Sequence, residues 1–100
     1  MTPLMLGCRL GSESMVRMLI EDYRAEVNME DKAGWTCLFY ATVRNEPELV
    51  ERLLTYGANP EHKDKKGVKA IDWAEHMGFD DTCSVFEDFA SRLVPSRTYL

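Results

Sequence analysis

One hundred residues, 45% apolar and 29% charged, suffice for one domain and are too apolar for a disordered acidic tail. Twelve basic against 17 acidic side chains give a net charge of −5, which argues against phosphate binding, and so against nucleic acid, as the main task. No stretch nears the roughly 18 uninterrupted apolar residues of a membrane span, and Arg9, Glu13, Arg17, Glu21 and Asp22 break up the region where a leader needs an apolar block, so the chain reads as neither membrane-spanning nor exported.

The first predicted element is a short helix over the apolar block Leu4 to Leu10, ended by Gly11, a residue that accepts a left-handed backbone at little cost. A second helix follows, with Met15, Val16, Leu19 and Ile20 spaced i, i+1, i+4 and i+5 on one face. The polar, glycine-containing stretch Asn28 to Gly34 then reads as a hairpin-like finger. The pattern returns with a short helix over Cys37 to Val43 and a turn at Asn45. Pro47 suits the first turn of the next helix, whose stripe is Leu49, Val50, Leu53 and Leu54. A second finger runs from Asn59 to Gly67. The third round has a short helix over Ala70 to Met77, a turn at Gly78 and a last helix. In that helix Thr82 and Glu87 replace Leu49 and Leu54, which predicts a more polar outward side and a C-terminal cap over 69–93. Pro95 to Leu100 has no periodicity and reads as a tail.

The rounds superpose on one another in sequence. A shift of 34 matches Leu4, Val16, Leu19 and Ile20 to Leu38, Val50, Leu53 and Leu54, and a shift of 33 matches Asp31, Gly34 and Ala41 to Asp64, Gly67 and Ala74. The unit therefore occurs three times, with one extra residue in the loop between Ile20 and Asp31. Thr2-Pro3-Leu4-Met5, Leu53-Leu54-Thr55-Tyr56-Gly57-Ala58-Asn59-Pro60 and Asp31-Lys32-Ala33-Gly34-Trp35-Thr36 resemble the signature, helix ending and finger of the ankyrin-repeat family. Departures are the signature His, replaced by Met5, Phe39 and Asp72, its Pro, replaced by Cys37 and Ala70 in the later copies, and Arg24 where Gly57 stands one unit on. The resemblance implies an all-α solenoid of helix-turn-helix pairs joined by fingers, with units at 1–33, 34–66 and 67–94 and a tail at 95–100. Such units bury their apolar stripes only against neighbours. The strongly apolar start, including Leu6, Leu10, Met15 and Met18, leads us to expect the C-terminal piece of a longer array.

Chemistry is sparsely signalled. The glycines are accounted for by fingers and helix ends, so no phosphate loop is read. Cys8, Cys37 and Cys83 lack metal-ligand spacing and are expected as core thiols of a reducing compartment, the cytosol or nucleus. No catalytic set, cofactor or metal is expected. Long helices and their flanks carry many carboxylates, among them Glu13, Glu21, Glu48, Glu51 and Asp80, and should form an acidic back. In the resembled family the finger tips and short-helix ends line a concave groove that recognises protein partners. Here that implies a basic groove built from Arg9, Lys32, Arg44, Lys65, Lys66 and His76, with Trp35, Val43, Val68 and Met77 between them. Phe39, Tyr40 and Trp73 are expected in the core. The partner implied is a protein segment, acidic or apolar-acidic, bound by a monomer. Other readings are a recruiting or localising part of a larger enzyme or ligase component, and an oligomerisation unit acting through the apolar first repeat.

Overall fold

Threonine before proline starts a helix because the proline lacks only an N–H that a first turn leaves unpaired, while the hydroxyl caps another. In the computed structural model, which describes residues 1–93, α1 (Pro3–Leu10) begins this way. Thr2 Oγ1 accepts from the Met5 amide at 3.1 Å. Ser12 caps α2 (Glu13–Glu21) in the same manner, accepting from Met15 N at 3.3 Å. The later pairs are α3 (Cys37–Val43) with α4 (Pro47–Thr55), and α5 (Ala70–Met77) with α6 (Asp80–Leu93). The residue ending each short helix's turn is left-handed, with φ of 72° at Gly11, 60° at Asn45 and 75° at Gly78. The unit end expected at 94 and the tail expected at 95–100 lie outside the described residues.

The short helices form one layer, α1 against α3 and α3 against α5, and each second helix packs behind its own partner. The stripe Leu49, Val50, Leu53 and Leu54 is wholly buried because α4 has a helix pair on either side, whereas only Val16 of the equivalent α2 stripe is fully buried. Leu4, Met5, Leu38, Phe39, Ala70 and Phe86 complete the core. Thr82 departs from the polar outward side expected of it. It is fully buried, and its hydroxyl donates to Asn45 Oδ1 at 2.9 Å, so the asparagine that makes the left-handed turn also ties the third pair to the second. Glu87 is exposed, as expected. Cys8 and Cys37 are buried side by side between α1 and α3, where the hydrogen bond with Cys37, then burial, raises the Cys8 thiol pKa; Cys83 is half-buried.

The fingers are near-copies of one another. Asp31 N donates to Trp35 O and Gly34 N to Asp31 O, both at 2.9 Å; Asp64, Val68 and Gly67 repeat the pair at the same lengths. Each aspartate carboxylate also turns back on its own loop. Asp31 Oδ1 accepts from Ala33 N and Trp35 N at 2.9 and 3.0 Å, and Asp64 Oδ1 from Lys66 N and Val68 N at 2.9 and 3.0 Å. Asp is favoured here because its short side chain closes the turn by itself. The fingers lie edge to edge, Lys65 N donating to Ala33 O at 3.0 Å. Gly34 has φ 81°, and a Cβ there would stand 2.8 Å from Lys65 N, so the close approach requires glycine.

Candidate interaction surface

The side-by-side fingers bring together tryptophans from neighbouring units. Trp35, at the base of the first described finger, donates from Nε1 to Asp64 Oδ2 at 3.1 Å, and Trp73 of α5 donates to the same oxygen at 3.1 Å. The Trp35 ring stacks on Phe39 at 5.7 Å and meets Tyr40 and Trp73 edge-on at 5.2 and 5.6 Å. Burial acts to raise the Asp64 pKa, but the bonds from Val68, the two indoles and Lys66 outweigh it and hold the carboxyl below the ordinary aspartate range. At Asp31 burial is likewise outweighed by the Tyr40 hydroxyl and the Trp35 and Ala33 amides. The same hydrogen bond, then burial and the Asp31 charge, raise Tyr40 to about 12. His62 extends the cluster, its ring edge-on to Phe39 and its Nε2 at 3.1 Å from both Glu30 Oε1 and Gly34 O.

Over this base run two adjoining notches. One, of about 280 Å³, is lined by Lys32, Ala33, Trp35, Asp64, Lys65, Lys66 and Trp73. The other, of about 290 Å³, is lined by Lys66, Val68, Asp72, Trp73 and His76, so that Lys66 and Trp73 border both. Six of the residues singled out in sequence, Lys32, Trp35, Lys65, Lys66, Val68 and His76, thus meet on one surface. Arg9, Val43, Arg44 and Met77 lie instead at the ends of the short helices. There Arg44 bonds the Arg9 carbonyl at 3.2 Å and pairs with Glu46 at 3.0 Å.

Among the described residues Lys32, Lys65 and Lys66 form no ion pair, whereas Arg44, Arg52, Lys69 and Arg92 each meet a carboxylate within 4.0 Å. Asp64, which lines the first notch with the three lysines, is only 7% exposed, and its oxygens accept from the Lys66 and Val68 amides and from the two indoles. Around the first notch the rim is therefore positive over an aromatic floor, while the exposed Asp72 carboxylate borders the second. A larger cavity, about 400 Å³, lies elsewhere, between Glu13, Glu48, Glu51, Arg52, Thr55 and Tyr56, on the acidic back expected from the sequence. No group of three or more His, Cys, Asp or Glu among the described residues is arranged to hold a metal ion, and no described helix is long and apolar enough to cross a membrane.

Sequence reasoning gave Asp64 no role and placed Trp73 in the core alone. The available signal was the repetition of Asp31 and Gly34 at Asp64 and Gly67, which marks the turn; nothing local indicated that one carboxylate would gather two indoles, one of them 29 residues away.

Comparison with known proteins gives consistent results. The family model "Ankyrin repeats (3 copies)" matches residues 1–64. "Ankyrin repeat and SAM domain-containing protein 6" of Rattus norvegicus is 37% identical over 82 residues, which are 81% of this chain and 9% of that protein. "Putative ankyrin repeat protein YahD" of Escherichia coli (strain K12) is 33% identical over 80 residues, 75% of this chain and 40% of the relative. "Probable 26S proteasome regulatory subunit p28" of Saccharomyces cerevisiae is 36% identical over 73 residues, 72% of this chain and 32% of the relative. The chain spans less than half the length of each.

Proposed function

The chain belongs to the ankyrin-repeat family, whose units serve in general as protein-interaction modules, and from that premise we propose that it is a non-enzymatic recognition module, an adaptor or scaffold element, for an acidic or apolar-acidic protein segment. The observation that supports this most directly is the unpaired cluster Lys32, Lys65 and Lys66 around the Trp35–Trp73 floor. Carboxylates on a partner would find ammonium groups that make no ion pair among the described residues, so the pairing displaces none of those seen there. An apolar side chain would fit the notch beside Val68 and Trp73, with His76 at its edge. Arg9, Val43, Arg44 and Met77 would extend contact along the short helices. The three cysteines, with no disulfide among them, fit a reducing compartment, and we place the module in the cytosol or nucleus.

A binding series with an acidic, leucine-containing peptide tests the assignment. Charge reversal at Lys32, Lys65 and Lys66 is expected to weaken binding by about tenfold or more and to invert its salt dependence, since salt then screens a repulsion instead of an attraction. Lysines are the better targets because Trp35 also holds the fingers together, so its replacement confounds binding with folding. Equal affinity for the wild type and the charge-reversed protein at every salt concentration would refute the groove. A second reading, a recruiting or localising segment within a larger enzyme or ligase component, draws on the small share of its relatives that the chain spans. The identity of the protein captured at the groove separates the two.

A further inference from the structure

Each finger turn places a lysine directly after its aspartate, Lys32 after Asp31 and Lys65 after Asp64. Because Lys65 N donates to Ala33 O at 3.0 Å, the two turns lie against each other, and lysines of separate units line one notch of about 280 Å³ together with Lys66. The charge of that notch is set by its lining. Three ammonium groups against the single carboxylate of Asp64 leave a net of +2. One carboxylate from a partner would cancel only half of this. A phosphate monoester, at about −2 near pH 7 and with three acceptor oxygens, cancels it whole and offers one oxygen to each lysine. Lysine suits that task, since its ammonium is a point charge on a flexible stem and approaches a tetrahedral group from any side.

The adjoining notch has the opposite character. Lys66 and Trp73 border both, but here the other lining residues are Val68, Asp72 and His76. The exposed Asp72 carboxylate is held in place at the start of α5, where its Oδ2 accepts from Lys69 N at 3.1 Å. A second anion on the ligand would be driven onto it. This disfavours evenly charged polyanions, such as a nucleic-acid strand, an anionic bilayer or a run of glutamates, and favours one dense negative charge flanked by an uncharged apolar side chain. An extended chain advances about 3.3 Å per residue, so neighbouring notches that share two residues take side chains one or two positions apart.

We infer that this surface reads phosphorylation: the protein segment it takes carries a phosphoserine or phosphothreonine in the first notch and, one or two positions along, an apolar residue beside Val68 and Trp73. The inference rests on the recognition reading proposed above and narrows it. A kinase acting on the partner then switches association on.

Calorimetry and tryptophan emission on the intact chain test it, both tryptophans lining the first notch. The probes are peptides with leucine one or two positions after phosphoserine, the same peptides with serine or glutamate in its place, and phosphopeptides with aspartate for leucine. The phosphoserine–leucine peptides should bind at least about tenfold more tightly than the glutamate ones. Lys32→Gln with Lys65→Gln should remove most of that difference while the helical signal holds. Asp72→Asn, which keeps an oxygen for the Lys69 amide, should improve binding of the phosphoserine–aspartate peptides and leave the leucine ones unchanged. Glutamate peptides that bind as tightly as phosphopeptides, and depend on the same lysines, would overturn phosphate reading and leave acidic recognition standing; no binding by any peptide would overturn both. An oligonucleotide or anionic vesicle bound as tightly as the phosphopeptide, or an Asp72→Asn protein with unaltered preferences, would also overturn the inference.

Discussion

Replacing Asp64 by alanine removes one side chain and strands four donors. Two are the backbone amides of Lys66 and Val68, and two are the indole N–H groups of Trp35 and Trp73. A hydrogen bond to a charged acceptor contributes about 1.5–3 kcal/mol net. The four do not add, because water can reach the part-buried finger amides once the carboxylate is gone, while the indoles packed between the units are less readily rehydrated. We expect Asp64→Ala to lower stability by about 2–4 kcal/mol, which at about 4–8 °C per kcal/mol for a domain of this size lowers the midpoint by some 8 °C or more. Asp64→Asn should do little better, because its NH₂ confronts two donors while its oxygen serves the other two. The assay is unusually direct. The chain has two tryptophans and both donate to this carboxylate, so emission reports the site while far-ultraviolet circular dichroism reports the helices. A variant unfolding within about 0.5 kcal/mol of the wild type, with unchanged emission, would show that the shared carboxylate does not join the units.

Three further outcomes are expected. Asp31 and Asp64 have folded pKa values below the ordinary aspartate range, so their stabilisation is complete above the unfolded value of about 3.9 and disappears as pH falls through the folded values. Tyr40→Phe removes the strongest of the interactions lowering the Asp31 pKa and should move the acid-unfolding midpoint, followed by circular dichroism, to higher pH; an unmoved midpoint counts against the assignment. Gly34→Ala and Gly67→Ala should differ although both residues have positive φ, since a methyl at Gly34 meets the Lys65 amide at 2.8 Å and one at Gly67 meets nothing within 4 Å. Urea titration should show about 1 kcal/mol lost at Gly67 and clearly more at Gly34, and equal losses would mean that the fingers are not pressed together. Leu53→Ala, at a fully buried site with helix pairs on both sides, should cost about 2–5 kcal/mol in the same titration; a loss below about 1 kcal/mol would contradict the packing.

Much of the scaffold is legible along the chain because its determinants are local. Helix stripes depend on residues three to five apart, and the turns at Gly11, Asn45 and Gly78 depend on the backbone freedom of single residues. The helix-starting Thr2-Pro3 pair likewise declares itself from adjacent residues. Internal repetition then copies each local solution, so that one unit's periodicity predicts the next. The basic character of the finger surface is legible in the same way, from Lys32, Lys65 and Lys66 on equivalent loops.

What only the tertiary structure decided is which side chains from different units share a partner. Thr82 looked like an outward polar substitution, yet it is buried because Asn45 of the previous unit offers an acceptor. Trp35 reads in sequence as a groove residue among the finger lysines, yet its nitrogen is engaged by an aspartate on the next finger. Periodicity places a residue on a face, but the charge, donor or cavity opposite that face comes from a distant part of the chain, and its identity leaves no trace in the local pattern.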